Sequence, residues 1–419
     1  MELVKNLLDY LLLTLIFIST NSIYVNSGYK FTPFTIVVAG MLIVINLFTT
    51  KLSISYLKKI CFIVGSYYLV IIMLMLIHNE IYRIFYFFVL FPVIIIFVLL
   101  ESYRKSLVKF LDKFVQVILV LVTISLFFWF FGSILKIISP TNYVVNEWMS
   151  GSEIKSYFNL YFETQGVKFL GVHFIRNSGI YTEGPMWNLL LSLALMIQVL
   201  LLPKNHKREL ILTFTIFTVA STTGIFIVAV LYVYKILHHF NRRQKLIAFS
   251  ATPFIVFGMM SIFKNKANSI STSIRIDDFV AGISAWRESI VFGSGLSNGL
   301  KVLESYMNTA IRPNMGNSDS FVLILAQGGL LLSLLYFYPM FKILFSKSFN
   351  LNLKIFSILY FIILVTSIFV TTPLFALMIA IFYASILENN HFDTKNEKLL
   401  CMKVYFKKLK SLLLKSSSE

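Results

Sequence analysis

Apolar runs of about 17 to 25 residues, the length a helix needs to cross a bilayer, recur along almost the whole chain. Short polar or basic turns separate them. The pattern predicts twelve membrane segments, near residues 7–25, 33–50, 60–77, 81–100, 114–138, 186–202, 209–220, 224–237, 246–262, 321–341, 355–371 and 373–388. The first, LLDYLLLTLIFISTNSIYV, has no small-residue cleavage site and reads as a retained span, not a signal peptide. The expected class is an all-α polytopic membrane protein, one membrane domain over residues 1–388 followed by a basic tail, 389–419.

Between Glu209 and Leu237 the pattern is shorter than usual. About 29 residues of helix reach roughly 44 Å, too little for two full crossings of a core about 30 Å thick. Basic clusters flank both sides, so a short hairpin turning at STTG, Ser221 to Gly224, is preferred over one long tilted helix. A turn at membrane depth needs protein or water around its backbone.

Two polar stretches interrupt the rhythm, at about 139–186 and 264–320. With the N-terminus placed inside, both fall on the outer face as long loops, where functional residues concentrate.

Composition agrees with lipid as the solvent. The chain is 58% hydrophobic with 42 phenylalanines and only 13% charged residues, and its mean hydropathy is +0.80. The net charge of +18 would suit nucleic acid, but its distribution argues otherwise. Lys51/Lys58/Lys59, Arg104/Lys105/Lys109/Lys113, Lys204/Lys207/Arg208, Arg242/Arg243/Lys245 and Lys342/Lys347/Lys354 all fall at expected cytoplasmic turns. The excess is therefore a positive-inside signal that puts both termini in the cytoplasm. Lys403, Lys407 and Lys410 at helical spacing in the tail predict an interfacial helix. The two cysteines, Cys61 and Cys401, offer no extracellular disulfide.

Soluble-enzyme signatures are weak. GSGLSNG, Gly293 to Gly299, has no strand–turn–helix around it. The outer histidines, His78 and His173, share no ligand spacing with nearby acids, so neither a metal nor a cofactor is expected. Charges within the spans are sparse, Asp9, Arg83 and Lys136 all lying near span ends, which disfavours an ion-coupled transporter.

The outer stretches hold the candidate chemistry. IRNSGIYTEGPMW places Arg176, Gly179 and Glu183 just before a span. Arginine offers a fork of donors suited to phosphate, and a carboxylate can accept a proton. A purely structural Arg–Glu bridge fits the same spacing. The second stretch carries Arg275 and Arg287 in SIRIDDFVAGISAWRESIVFGSGLSNG, which also reads as an amphipathic helix on the membrane surface. RPNMGNSDSFVLILAQGGLL follows, where Asp319 is either a functional acid or a helix cap.

In their order, RNSGIYTEGP, STTGIFIVAVL, AWRESIVFGSGLSNG and NSDSFVLILAQGGLL resemble the Wzy-type O-antigen and capsule polymerases, relatives of the O-antigen ligases. The resemblance covers about Phe174 to Leu335. It implies transfer of a glycan chain between undecaprenyl-pyrophosphate carriers at the outer face of the inner membrane, and a chain-length regulator as a partner. It assigns Arg176, then Arg287 and Arg275, to the pyrophosphate. Glu183 is a general base or orients Arg176, Asp319 is the competing base, and His173 is a further candidate. Thr222, Thr223 and Gly224, with Gly179, are expected to line the cavity. The alternatives are an O-antigen ligase, a flippase of the same pathway, or a non-catalytic membrane sensor.

Overall fold

The apolar runs fold as helices whose ends are set by capping residues. The structure is a computed structural model that describes residues 2–80, 85–146, 151–169, 172–239, 270–312 and 316–388. Six helices come first: α1 Glu2–Ile18, α2 Ile23–Asn26, α3 Thr32–Thr49, α4 Ile54–His78, α5 Phe91–Tyr103 and α6 Leu107–Phe128. A π-helical turn, Phe85–Leu90, leads into α5, and another, Trp129–Ile134, closes α6. Beyond the first polar stretch lie α7 Gly184–Leu200, α8 His206–Val219 and α9 Thr222–His239. Then come α10 Ile270–Glu288, α11 Asn298–Ser305, α12 Ser320–Phe345 and α13 Leu351–Thr366, and finally α14 Pro373–Glu388. Ser53, Asn205 and Asn350 accept backbone N–H bonds from the first turns of α4, α8 and α13, meeting donors that a helix start leaves open.

The polarity is inside-out. Phe48, Phe62, Leu76 and Phe345 are exposed, while Asp9, Asn46 and Glu101 are buried. Five helical stretches, Thr32–Thr49, Ile54–His78, Tyr86–Tyr103, Leu107–Ile134 and Ser320–Phe345, are long and apolar enough to cross a membrane, with shorter apolar helices beside them. The chain is thus a mostly helical, multi-pass membrane protein. At the end where α1 begins, the buried charges meet each other. Lys5 bridges Asp9 and Glu101 at 3.2 and 2.8 Å, Lys113 meets Asp9 at 2.6 Å, and Asn46 donates to Glu101 at 2.8 Å. This network ties α1, α3, α5 and α6 together at the basic end.

Several expectations change. The segment expected at 7–25 stops as a helix at Ile18, and Ser22 begins the short α2. The segment expected from 114 starts at Leu107, and that expected from 355 at Leu351. The segment at 246–262 and the tail with its interfacial helix lie outside the described residues. Residues 209–237 form two helices, α8 and α9, around Ala220 at φ +52°. Thr222 to Gly224 belong to the first turn of α9, and the chain reverses just before them.

Neither long stretch is a plain loop. The first carries an antiparallel sheet ordered β1 Asn142–Asn146, β2 Ser152–Tyr157, β3 Tyr161–Glu163, with Val144 opposite Ile154 and Tyr157 opposite Tyr161. A hairpin follows, β4 Gly166–Phe169 with β5 Val172–Ile175, Val167 opposite Phe174. Tyr157 and Tyr161 pack with Phe128 and Trp129, seating the sheet on the end of α6.

In the second stretch the segment between α10 and α11 enters a break in α12. By length α12 would be one crossing, but Gly329 stands at φ 56°, ψ −149°, outside helical space. The rings of Phe321 and Phe337 lie 5.6 Å apart, whereas a straight helix would separate these positions by about 24 Å. Geometry therefore overrides length, and α12 turns back on itself at Gly329. The backbone groups freed by the break are met by one partner segment. Ser294 and Gly295 donate to the carbonyls of Ala326 and Gln327, and Leu330 and Leu331 donate to those of Ile290 and Val291, at 2.8 to 3.1 Å. Broken backbone at membrane depth is tolerated where protein covers it in this way. A Cβ on Gly329 would stand 2.5 Å from the Val291 carbonyl carbon, so the seam admits no side chain there. Glu80, just past α4, accepts from the backbone of Ser297 and Asn298 at 2.9 to 3.0 Å and ties the seam to that helix.

Candidate functional site

Arg176 follows β5 directly and is held by neutral acceptors. Its Nε donates to the carbonyl of Val219 at 2.8 Å, and Nη1 donates to Gln165 Oε1 at 3.1 Å. Val219 is the last residue of α8, so the guanidinium sits on a helix C-terminus, where partial negative charge favours a cation. Next to it, Asn177 donates from its backbone to Thr218 O at 3.1 Å and from Nδ2 to Thr218 Oγ1 at 3.2 Å. The α8–α9 reversal is thereby fastened beneath the Arg176 segment.

The other side of Arg176 faces α7. Glu183 is the N-cap of that helix in extended conformation, and its side chain makes no capping bond. A Cβ built on Gly184 would lie 2.9 Å from Cζ and Nε of Arg176. The glycine thus lets the guanidinium rest on the first residue of α7, at the positive end of a helix dipole, where Gly184 N–H already donates to Gln165 Oε1 at 3.4 Å. A guanidinium set on the positive end of a helix dipole gives this place a positive potential, which favours an anion nearby. Behind them, Tyr181 stacks on Trp187 at 5.5 Å and pairs with Ser22, which fixes the segment to α1 and α2.

The second polar stretch brings two more groups. Arg275, on α10, donates from Nη1 to the carbonyl of Thr366 at 3.0 Å, the last residue of α13. Asp319 caps α12, its Oδ1 accepting from Phe321 N at 2.8 Å and Val322 N at 3.2 Å. Burial raises the Asp319 carboxyl to about 7 and the Asp278 charge adds to this, while the two backbone bonds and Arg275 oppose it. The Arg176 guanidinium is lowered from its ordinary value by burial and by Arg275, while Glu183 pulls it back up. Arg275, from the second polar stretch, thus acts on Arg176 of the first as well as on Asp319, and Glu183 acts on Arg176.

Asp278 holds the second half of this arrangement in place. It is fully buried on α10 and accepts from Ser318 Oγ at 2.6 Å, Ser318 N at 3.0 Å and Arg312 Nη2 at 2.9 Å. Arg312 also pairs with Asp277. These bonds clip the lead-in of α12 onto α10, so Arg312 is engaged in structure.

Arg287 is exposed in the last turn of α10, about 18 Å along the helix from Arg275. His173 pairs through its backbone with Lys168 in the β4–β5 hairpin. Gly179 faces the ring of Trp187, and Gly224 faces Asn188 and Ile216, so both glycines fill packing contacts. Thr222 and Thr223 open α9, just past the carbonyl that Arg176 caps. The pattern of charges did not single out Gln165, Gly184 or Asp278 as partners.

No protein-family model matches the chain, and no curated protein or solved structure matches it either.

Proposed function

We propose that this protein is a glycosyltransferase of the polymerase type, joining oligosaccharide repeat units carried on undecaprenyl pyrophosphate at the outer face of the bacterial cytoplasmic membrane. The observation that carries the reading is that Arg176 and Arg275, two cations from separate polar stretches, lie near enough to feel each other's charge, with Glu183 acting on Arg176 and Arg275 acting on Asp319. Like charges repel, so their approach suits a site that holds a multiply charged anion.

In the reaction an acceptor hydroxyl oxygen attacks the anomeric carbon of the donor sugar. The bond from that carbon to the pyrophosphate oxygen breaks, and the lipid pyrophosphate departs with the electron pair. Arg176 and Arg275 stabilise the departing charge, an effect strongest where water is excluded. The hydroxyl proton passes to a carboxylate, Glu183 or Asp319. A carboxyl group near 7 is matched to taking a proton at neutral pH.

Purified protein in nanodiscs, given the cognate lipid-linked repeat unit, tests the proposal. A ladder of products from wild type, lost in folded Arg176→Ala and Arg275→Ala variants, supports it. Attachment of preformed glycan to an acceptor without a ladder would reassign the protein as a ligase. Movement of the lipid-linked unit across the bilayer without bond formation would reassign it as a flippase.

A further inference from the structure

Helix α10 turns Asp278 inward and its large apolar side chains outward. Fully buried Asp278 shares the inner face with Ala281 and Ala285, and Gly282 packs on Val322 of α12. The opposite face carries Ile276, Phe279 and Val280, exposed to 61%, 42% and 57%. Ile283 continues this stripe, and exposed Ser273 and Arg287 bound it at its two ends. A helix resting on a membrane with its charges in water would show the reverse arrangement. A buried acid together with a contiguous exposed apolar face needs a specific explanation.

We infer that α10 is sunk into the membrane leaflet at the end of the bundle that carries the β-strands, with its outer stripe docked on lipid hydrocarbon. Three observations point to lipid as the occupant. Arg275 is bonded to the last residue of α13, an apolar helix of the membrane bundle, so the stripe begins beside the bilayer-facing surface. It carries no charge between its polar ends. Those ends are about 21 Å apart along the helix, too close to cross a core of about 30 Å and suited to one leaflet. Arg275 immediately precedes Ile276. If the proposed function holds, the anionic head of a lipid lying along this stripe reaches Arg275 sideways from the leaflet. The embedding itself does not depend on that reaction.

The test uses full-length protein in nanodiscs with Cys61→Ser and Cys401→Ser, carrying a nitroxide at Val280→Cys or, separately, at Ile276→Cys. Collision with oxygen, which partitions into lipid, is compared with collision with a water-soluble nickel chelate. Leu334→Cys on α12 and Tyr143→Cys on β1, both exposed, serve as lipid and water references. Oxygen preference at both α10 sites, matching Leu334→Cys, is the expected result. Preference for the chelate, as at Tyr143→Cys, would overturn the inference. So would shielding from both agents, or spin–spin broadening between two copies, since either would show protein covering the stripe.

Discussion

The guanidinium of Arg176 donates to the carbonyl of Val219 at 2.8 Å, so the cation of the first polar stretch caps the hairpin helix that reverses beneath it. That helix, α8, has 14 residues and rises about 21 Å, short of a full crossing of about 30 Å. The charge is thus set on a short support and kept in register with α7 by Gly184.

Gly184→Ala tests this register. Alanine suits the start of a helix better than glycine, so thermal stability should stay close to wild type. The added Cβ would collide with Arg176, whose Cζ and Nε stand 2.9 Å away. Glycan transfer should fall by about tenfold or more, equivalent to about 1.4 kcal/mol of barrier. Unchanged transfer would show that the position of the guanidinium on α7 does not matter.

The Asp278–Arg312 contact should behave as structure. Both side chains are almost fully buried, and removing one partner of such a pair costs about 3 to 5 kcal/mol. Arg312→Ala is expected to lower the unfolding midpoint sharply in detergent. A midpoint like wild type would contradict the clip between α10 and α12.

Asp319 gives a pH signature. Its carboxyl rises from the ordinary 3.8 to about 7 in the folded protein. Between those values the folded state keeps a proton that the unfolded chain has lost, so stability falls as pH rises through this window. Below and above the window the contribution is flat, and within it the slope approaches about 1.4 kcal/mol per pH unit. Asp319→Asn, which can still cap the helix, should remove this part of the slope in unfolding measured from pH 4 to 8. An identical slope in the variant would refute the raised value.

The seam in α12 predicts opposite outcomes for two glycines. Gly329 has positive φ and no space beside it, whereas Gly40 has no neighbour within 4 Å of a built Cβ. Gly329→Ala should destabilise by about 2 kcal/mol or more, combining backbone strain with displacement of the partner segment. Gly40→Ala, inside α3, should be neutral or stabilise by up to about 1 kcal/mol. Equal unfolding midpoints would argue against the break.

Much of the membrane architecture was legible because apolar length is a direct physical requirement of the bilayer. The shortness of 209–237 likewise announced a reversal. The strands were harder to see: Ser152–Tyr157 buries only Ile154, Ser156 and Tyr157, an alternation that fails at its end. The break at Gly329 was not legible, because it is held by the segment 290–295, which pairs with it from a distance along the chain. The site was half legible. Arg176 and Glu183 stood out as charges beside an apolar run, and Arg275 and Asp319 were candidates. Spacing along one helix could not rank Arg275 against Arg287; it is Arg275, held on Thr366 far along the chain, whose charge is felt at Arg176.

Binding of undecaprenyl pyrophosphate to the protein in nanodiscs tests the central claim most directly, with neutral undecaprenol as the control. Arg176→Ala and Arg275→Ala should each weaken the pyrophosphate by about tenfold or more, the scale of a charge-assisted hydrogen bond of about 1.5 to 3 kcal/mol. Undecaprenol should bind all forms alike. If both folded variants hold the pyrophosphate as tightly as wild type, the paired arginines are not its site.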